Sequence, residues 1–158
     1  MPVFIALYFS FYNHNKIELY QFIDLICAVL VDDLYFYWLH RALHIKFLYK
    51  HIHSIHHRAR APKILDYLYA SIFELILGSF GLLISVLVFN LDFRTTYILT
   101  ILRHIHEAHI HSGYDLTFLP KIPFMTSTVN HDKHHLNVIC NYSNSFIIWD
   151  KIFGTYKS

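Results

Sequence analysis

The sequence predicts an all-α fold: an integral membrane helical bundle with a cytosolic, histidine-rich di-metal site. Three observations predict it. Of 158 residues, 55% are hydrophobic and only 15% charged, whereas a soluble domain usually carries about 25% charged residues. The apolar residues gather in long stretches rather than alternating, which favours helices over strands. Fourteen histidines are present, and thirteen of them fall in four short segments. The length leaves room for one domain, read as residues 1–158. A formal charge of +2 with no basic block excludes a nucleic-acid partner.

Residues 3–12 are apolar but too short to cross about 30 Å of hydrocarbon, and no secretory signal with a basic leading region is visible. Residues 17–39 are long enough to cross, at about 1.5 Å per residue. Their acids Asp24, Asp32 and Asp33 would each cost about 2.5–3.5 kcal/mol at mid-membrane. They are therefore expected near an end or facing a polar interior. Residues 72–90 carry a single charge, Glu74; Asn90-Leu91-Asp92 reads as a turn, and residues 93–103 as a returning helix. Such a hairpin brings the chain back to the side it left, so the histidines before residue 58 and after residue 103 share one face. Arg41, Lys46, Lys50, Arg58, Arg60 and Lys63 crowd the segment before the hairpin, while its tip holds only Arg94. The positive-inside rule then turns the histidine face toward the cytosol. Cys27 and Cys140 are isolated and read as free thiols. Phe73, Phe80 and Phe89 are candidates to line a path for a membrane-dissolved substrate.

The histidine spacing carries the chemistry. His40 and His44 form an HxxxH pair, and positions i and i+4 share a helix face. His53, His56 and His57 form an HxxHH box, and His131, His134 and His135 form a second. Neutral imidazole is the commonest nitrogen ligand and suits iron, zinc or copper. Eight such residues exceed the four ligands of one zinc site and point to two metals. His104, His106, His109 and His111 follow the hairpin. His104 and His111 share one face and His106 and His109 another, so one or two of the four are expected as ligands. His14 stands alone and reads as a solvated side chain.

Competing motifs fail. His106-Glu107-Ala108-His109 is no HExxH, because Ile110 stands where the second histidine belongs. A carboxylate-bridged di-iron bundle needs several glutamates and ExxH pairs; only Glu18, Glu74 and Glu107 are present, and no ExxH. Neither a GxGxxG nor a CxxCH occurs, so nicotinamide and haem have no binding motif here.

These boxes resemble the fatty acid hydroxylase and sterol desaturase superfamily, and within it the C-4 methylsterol oxidases. The resemblance covers about residues 29–156. It rests on Tyr37-Trp38-Leu39-His40-Arg41-Ala42-Leu43-His44, on Leu48-Tyr49-Lys50-His51-Ile52-His53-Ser54-Ile55-His56-His57 with Ala61-Pro62, and on His111-Ser112-Gly113-Tyr114-Asp115. His131-Asp132-Lys133-His134-His135, Asn141-Tyr142-Ser143-Asn144-Ser145-Phe146 and Trp149-Asp150-Lys151-Ile152-Phe153-Gly154-Thr155 complete it. The resemblance implies two iron ions, O2 as co-substrate, and oxidation of the C-4 methyl group of a sterol. Another lipid hydroxylase or desaturase, or an inactive metal-binding homologue, is the alternative.

The implied ligands are His40, His44, His53, His56, His57, His111, His131, His134 and His135, with His109 as a further candidate. Asp33, seven residues before His40, is expected to steady a ligand ring, with Asp132 and Asp115 as other candidates. The resemblance also implies a cytochrome b5 donor with its NAD(P)H reductase, docking near Arg58, Arg60 and Lys63, and residence in the endoplasmic reticulum. One departure stands out. Relatives often carry Tyr-Ala-His-Pro where this chain has Tyr69-Ala70-Ser71-Ile72, and His106 or His109 is a candidate to fill that place.

Overall fold

A computed structural model describes residues 2–11, 18–114 and 124–158. Among the described residues the regular elements are helical, and one isolated antiparallel bridge joins Met125 to Phe146. The helices are α1 (Pro2–Phe11), α2 (Glu18–Leu43), α3 (Lys46–His51), α4 (Ile72–Gly78), α5 (Phe80–Phe89), α6 (Phe93–Ile110), α7 (Thr128–Asn137) and α8 (Ile148–Ile152). Two 3-10 turns, His53–Arg58 and Asp66–Leu68, link α3 to α4.

The hairpin read from the sequence is present, and its ends are chemically marked. Asn90 closes α5 in the left-handed region at φ 50°, a conformation Asn tolerates better than most residues. Asp92 then caps α6, its side chain accepting from the Thr95 N–H at 2.7 Å. The two arms differ from the simple reading. Residues 72–90 break at Ser79, whose hydroxyl donates to the Ile76 carbonyl at 2.7 Å; α6 runs seven residues past Arg103 and carries its histidines on a continuous helix.

The packed interior is small. Ala6, Ala28, Leu82, Val86, Leu91 and Leu99 form its buried centre, drawn from α1, α2, α5, α6 and the hairpin turn. Alanine and glycine let the helices approach closely. At Gly81 a Cβ would run into the Asp32 carboxylate and the Tyr35 ring, so α5 fits against α2 only without a side chain there. Ser85 Oγ donates across the same seam to the Ala28 carbonyl at 3.0 Å, and Tyr35 of α2 donates to the Leu77 carbonyl of α4 at 2.9 Å.

Large apolar side chains meanwhile point outward. Phe22, Ile26, Phe73, Leu87, Val88, Ile98 and Ile105 are all exposed. Among the described residues one stretch, Ile72–Phe89, is long and apolar enough to cross a membrane, with a mean hydropathy of 2.4 and only 28% of it buried. The 26-residue α2 would reach about 39 Å but carries four acids, Glu18, Asp24, Asp32 and Asp33. Two of those acids face inward, as the cost of a bare carboxylate in lipid demands. Asp32 accepts from Arg103 Nη1 of α6 at 2.8 Å. Asp33 accepts from the N–H groups of Ser145 and Phe146 and from Trp149 Nε1 at 2.7, 3.1 and 2.8 Å.

Candidate metal centre

Nine buried or half-buried histidines converge in two groups. His40, His44, His53, His57 and His134 make the first; His56, His111, His131 and His135 make the second. Within each group the ligand atoms lie within 4.8 Å of one another. In the first group four Nε2 atoms form a closed ring: His44 to His53 at 3.1 Å, His53 to His57 at 3.0 Å, His57 to His134 at 3.2 Å and His134 to His44 at 3.2 Å. In the second, Nε2 of His111 lies 3.3 Å from His56 and 2.9 Å from His131, which is 3.0 Å from His135. Nitrogens bound to one ion at about 2.0–2.1 Å stand about 2.9–3.4 Å apart when their bonds meet near 90–109°. The spacing fits nitrogen ligands around a metal.

The two HxxHH boxes do not each serve one site. His53 and His57 enter the first group and His56 the second, while His131 and His135 enter the second and His134 the first. The i and i+4 members share a face, and the i+3 member leans to its neighbour. The first box is also a tight 3-10 turn rather than α-helix, which stacks His53 and His56 with ring centroids 5.4 Å apart. Each box therefore straddles the boundary between the groups.

Backbone carbonyls set the rings. Nδ1 of His40, His134 and His111 meets the carbonyls of Tyr142, Cys140 and Glu107 at 2.8, 2.7 and 2.8 Å. A ring that donates from Nδ1 in its neutral form presents Nε2 as a bare lone pair. His40 Nε2 is buried and has no hydrogen-bond partner, the arrangement expected of a nitrogen kept for a cation. His53 differs, its Nδ1 lying 2.7 Å from Glu74 Oε1. Burial and neighbouring imidazoles push His57 down to about 2 and His135 to about 3, and depress His56, His131 and His134 for the same reasons. The cluster is neutral at pH 7, the form that binds metal.

Two of these carbonyls, those of Cys140 and Tyr142, come from a loop that one carboxylate organises; that of Glu107 belongs to α6. Buried Asp150 accepts from the N–H groups of Tyr142 and Ser143 at 2.8 and 2.9 Å and from Thr155 Oγ1 at 2.6 Å. Just before this loop α7 ends on Val138 in the left-handed region, at φ 52°. That reversal brings the Cys140 carbonyl back to His134. A β-branched residue is strained there.

Several sequence expectations change. Asp33 fastens residues 145–149 to α2 instead of steadying a histidine, because its helix face turns toward the C-terminal segment. Asp132 lies half-buried on α7, and Asp115 and His14 lie outside the described residues. His109 is buried but belongs to neither group; it precedes His111 by two residues, roughly 200° of helical rotation. His106 is turned to the Asn144 carbonyl at 3.0 Å. Ser71 caps α4, accepting from the Glu74 N–H at 3.1 Å.

A cavity of about 260 Å³ opens beside the second group, where His56 forms part of its wall. Phe36, Leu75 and Leu82 make it apolar, and Glu74, Arg103 and Glu107 bring polar groups to it. Phe73, Phe80 and Phe89 do not line it: the first two are exposed and Phe89 packs on the core. Sequence reasoning overlooked Glu74, although a lone charge in an apolar stretch was the available signal.

Residues 25–155 match the sequence model of the fatty acid hydroxylase family. The chain belongs to that family. Methylsterol monooxygenase 1 of Rattus norvegicus is 38% identical over 131 residues, covering 82% of this chain and 44% of the relative. The methylsterol monooxygenase erg25A of Aspergillus fumigatus is 39% identical over 139 residues, 84% of this chain and 46% of its own length. A very-long-chain aldehyde decarbonylase of Oryza sativa subsp. indica is 34% identical over 132 residues, 80% and 50% of the two chains. The chain thus spans about half the length of the curated relatives it matches. No solved structure matches it.

Proposed function

We propose that this chain is the metal-binding domain of a membrane di-iron monooxygenase that oxidises the C-4 methyl group of sterols. The observation that carries the reading is the pair of adjoining buried imidazole groups, the second of which borders a largely apolar cavity through His56. His40, His44, His53, His57 and His134 would hold one iron, and His56, His111, His131 and His135 the other. Bound there, two irons supply the power to use O2 against an unactivated C–H bond, each round consuming one O2, two electrons and two protons and giving the alcohol and water. The names of the rat and Aspergillus relatives support the sterol.

The chain's own residues do the rest. The carbonyls of Tyr142, Cys140 and Glu107 fix the rings so that Nε2 faces inward. Apolar walls admit a sterol and keep bulk water from the oxidant. Electrons come from outside, from a cytochrome b5-type donor and its NAD(P)H reductase, with exposed Arg58, Arg60 and Lys63 offering a cationic landing area. The outward apolar belt of α2, α5 and α6 suits lipid and supports a membrane setting; the setting that goes with this reading is the endoplasmic reticulum membrane, with the histidines on the cytosolic side.

The test is turnover. Membranes carrying the protein, given a 4,4-dimethylsterol, O2, NADH and a competent donor chain, should yield 4-hydroxymethyl or 4-carboxyl sterol by mass spectrometry. His134→Ala should abolish product and lower bound iron; unchanged turnover in that variant refutes the assignment. The rice relative favours a second reading, another long-chain lipid on the same scaffold. No sterol product with a working donor, but oxidation of a long-chain lipid, selects it.

A further inference from the structure

We infer that Glu74 reads the substrate's hydroxyl group, holding it by the carboxylate oxygen that His53 leaves free. The inference rests on the methylsterol reading above. It begins with an imbalance in hydrogen bonding. Glu74 Oε1 lies 2.7 Å from His53 Nδ1, whereas Oε2 is buried with no partner at all. A buried carboxylate oxygen without a donor is costly, and native structures rarely keep one unless something else supplies the hydrogen.

The surroundings say what supplies it. Glu74 lines the same cavity as His56 of the second group, and its other oxygen touches His53 of the first. It therefore stands where the cavity meets both groups. The nearby cation is already engaged, since Arg103 donates to Asp32 at 2.8 Å. Oε2 needs a neutral donor arriving through an apolar cavity, and an alcohol on a hydrocarbon ring is that chemistry. In a 4-methylsterol the ring hydroxyl is on the neighbouring carbon, three bonds from the methyl carbon. A methyl group presented to the histidine groups carries its hydroxyl to the adjoining wall. At about 260 Å³ the cavity is smaller than most ligand pockets, which run from ~300 to ~1,000 Å³. It suits the hydroxylated end of a sterol, with the remainder extending out between the helices.

Ser71 has a part in this. Its hydroxyl accepts the Glu74 N–H and so starts α4 at the register that turns Glu74 inward. The same carboxylate then links two tasks, since the oxygen opposite the substrate hydroxyl bonds the ring of His53.

Donor polarity makes the inference testable. An alcohol donates to a carboxylate, whereas a ketone can only accept. Binding of radiolabelled 4,4-dimethylsterol and of its 3-ketone would be measured on the iron-loaded full chain in detergent, for wild type and for Glu74→Gln, with iron content measured in parallel. Wild type should prefer the alcohol by about tenfold, as leaving a buried acceptor without a donor implies. In Glu74→Gln the amide NH2 can donate, so the preference should shrink severalfold or reverse while iron is retained. Equal affinity of wild type for both sterols overturns the inference, as does an alcohol preference that Glu74→Gln leaves unchanged; continued C-4 methyl oxidation in either case leaves the methylsterol reading standing. If wild type binds neither sterol, the methylsterol reading falls and the inference with it.

Discussion

Removing the carboxylate of Asp150 should empty a metal site it never touches. The side chain is 1% exposed and accepts three hydrogen bonds, from the Tyr142 and Ser143 N–H groups and from Thr155 Oγ1, all within 2.9 Å. Asp150→Ala strands two buried backbone donors at about 1–3 kcal/mol each and frees the Thr155 hydroxyl. The sum is about 3–5 kcal/mol, a large part of the roughly 5–15 kcal/mol that holds a folded chain together. Damage is local first. The loop that loosens carries the Tyr142 and Cys140 carbonyls, which orient His40 and His134. Asp150→Asn keeps one acceptor oxygen and should cost about half as much. Thermal unfolding in detergent and iron per chain by elemental analysis read both effects. Wild-type iron content in Asp150→Ala, with a stability loss under about 1 kcal/mol, would refute the chain of contacts argued here.

Three further outcomes are expected. Gly81→Ala should destabilise the chain by about 1–3 kcal/mol, because its Cβ meets Asp32 and Tyr35; a melting temperature equal to wild type would show that α2 and α5 part more easily than the contacts imply. Metal-free protein should lose stability as pH falls through about 6.5 toward 4, the loss per pH unit growing as the unfolded histidines take up protons. The unfolded chain binds protons at ordinary histidine values, while folded His111 is held to about 4, His135 to about 3 and His57 to about 2. Each such ring contributes about 1.4 kcal/mol per pH unit, so a flat denaturation midpoint between pH 6.5 and 4.5 would contradict the buried neutral cluster. Ser71→Ala should cost about 1 kcal/mol, the usual worth of an N-cap, and leave iron bound. Loss of iron in that variant would give Ser71 a role at the metals.

Much of this was legible in the sequence, for identifiable reasons. The hairpin showed because Asn90 and Asp92 are turn and cap residues set in otherwise unbroken apolar sequence. The histidines showed because spacings of three and four have few other uses in so apolar a chain. What escaped was tertiary. Nothing local says that His53 and His56 part company, since that depends on where the other helices deliver His40, His44, His111 and the second box, which divides the same way on a regular α-helix. Asp33 lies on the heptad of His40, yet the helix face it shares is covered by residues 145–149, over a hundred positions away. The ring-orienting groups are mainly backbone carbonyls, which every residue possesses and no motif can advertise.

The crosswise sharing of the two HxxHH boxes has a consequence for assembly. A metal ion bound by the first group would draw in His53, His57 and His134 and thereby set the adjoining backbone that carries His56, His131 and His135. Neither half can be built or dismantled while the other stays indifferent. Titrating iron into the metal-free chain should give empty and doubly filled molecules with few singly filled ones between. Damage to one box should be felt as the loss of both ions together.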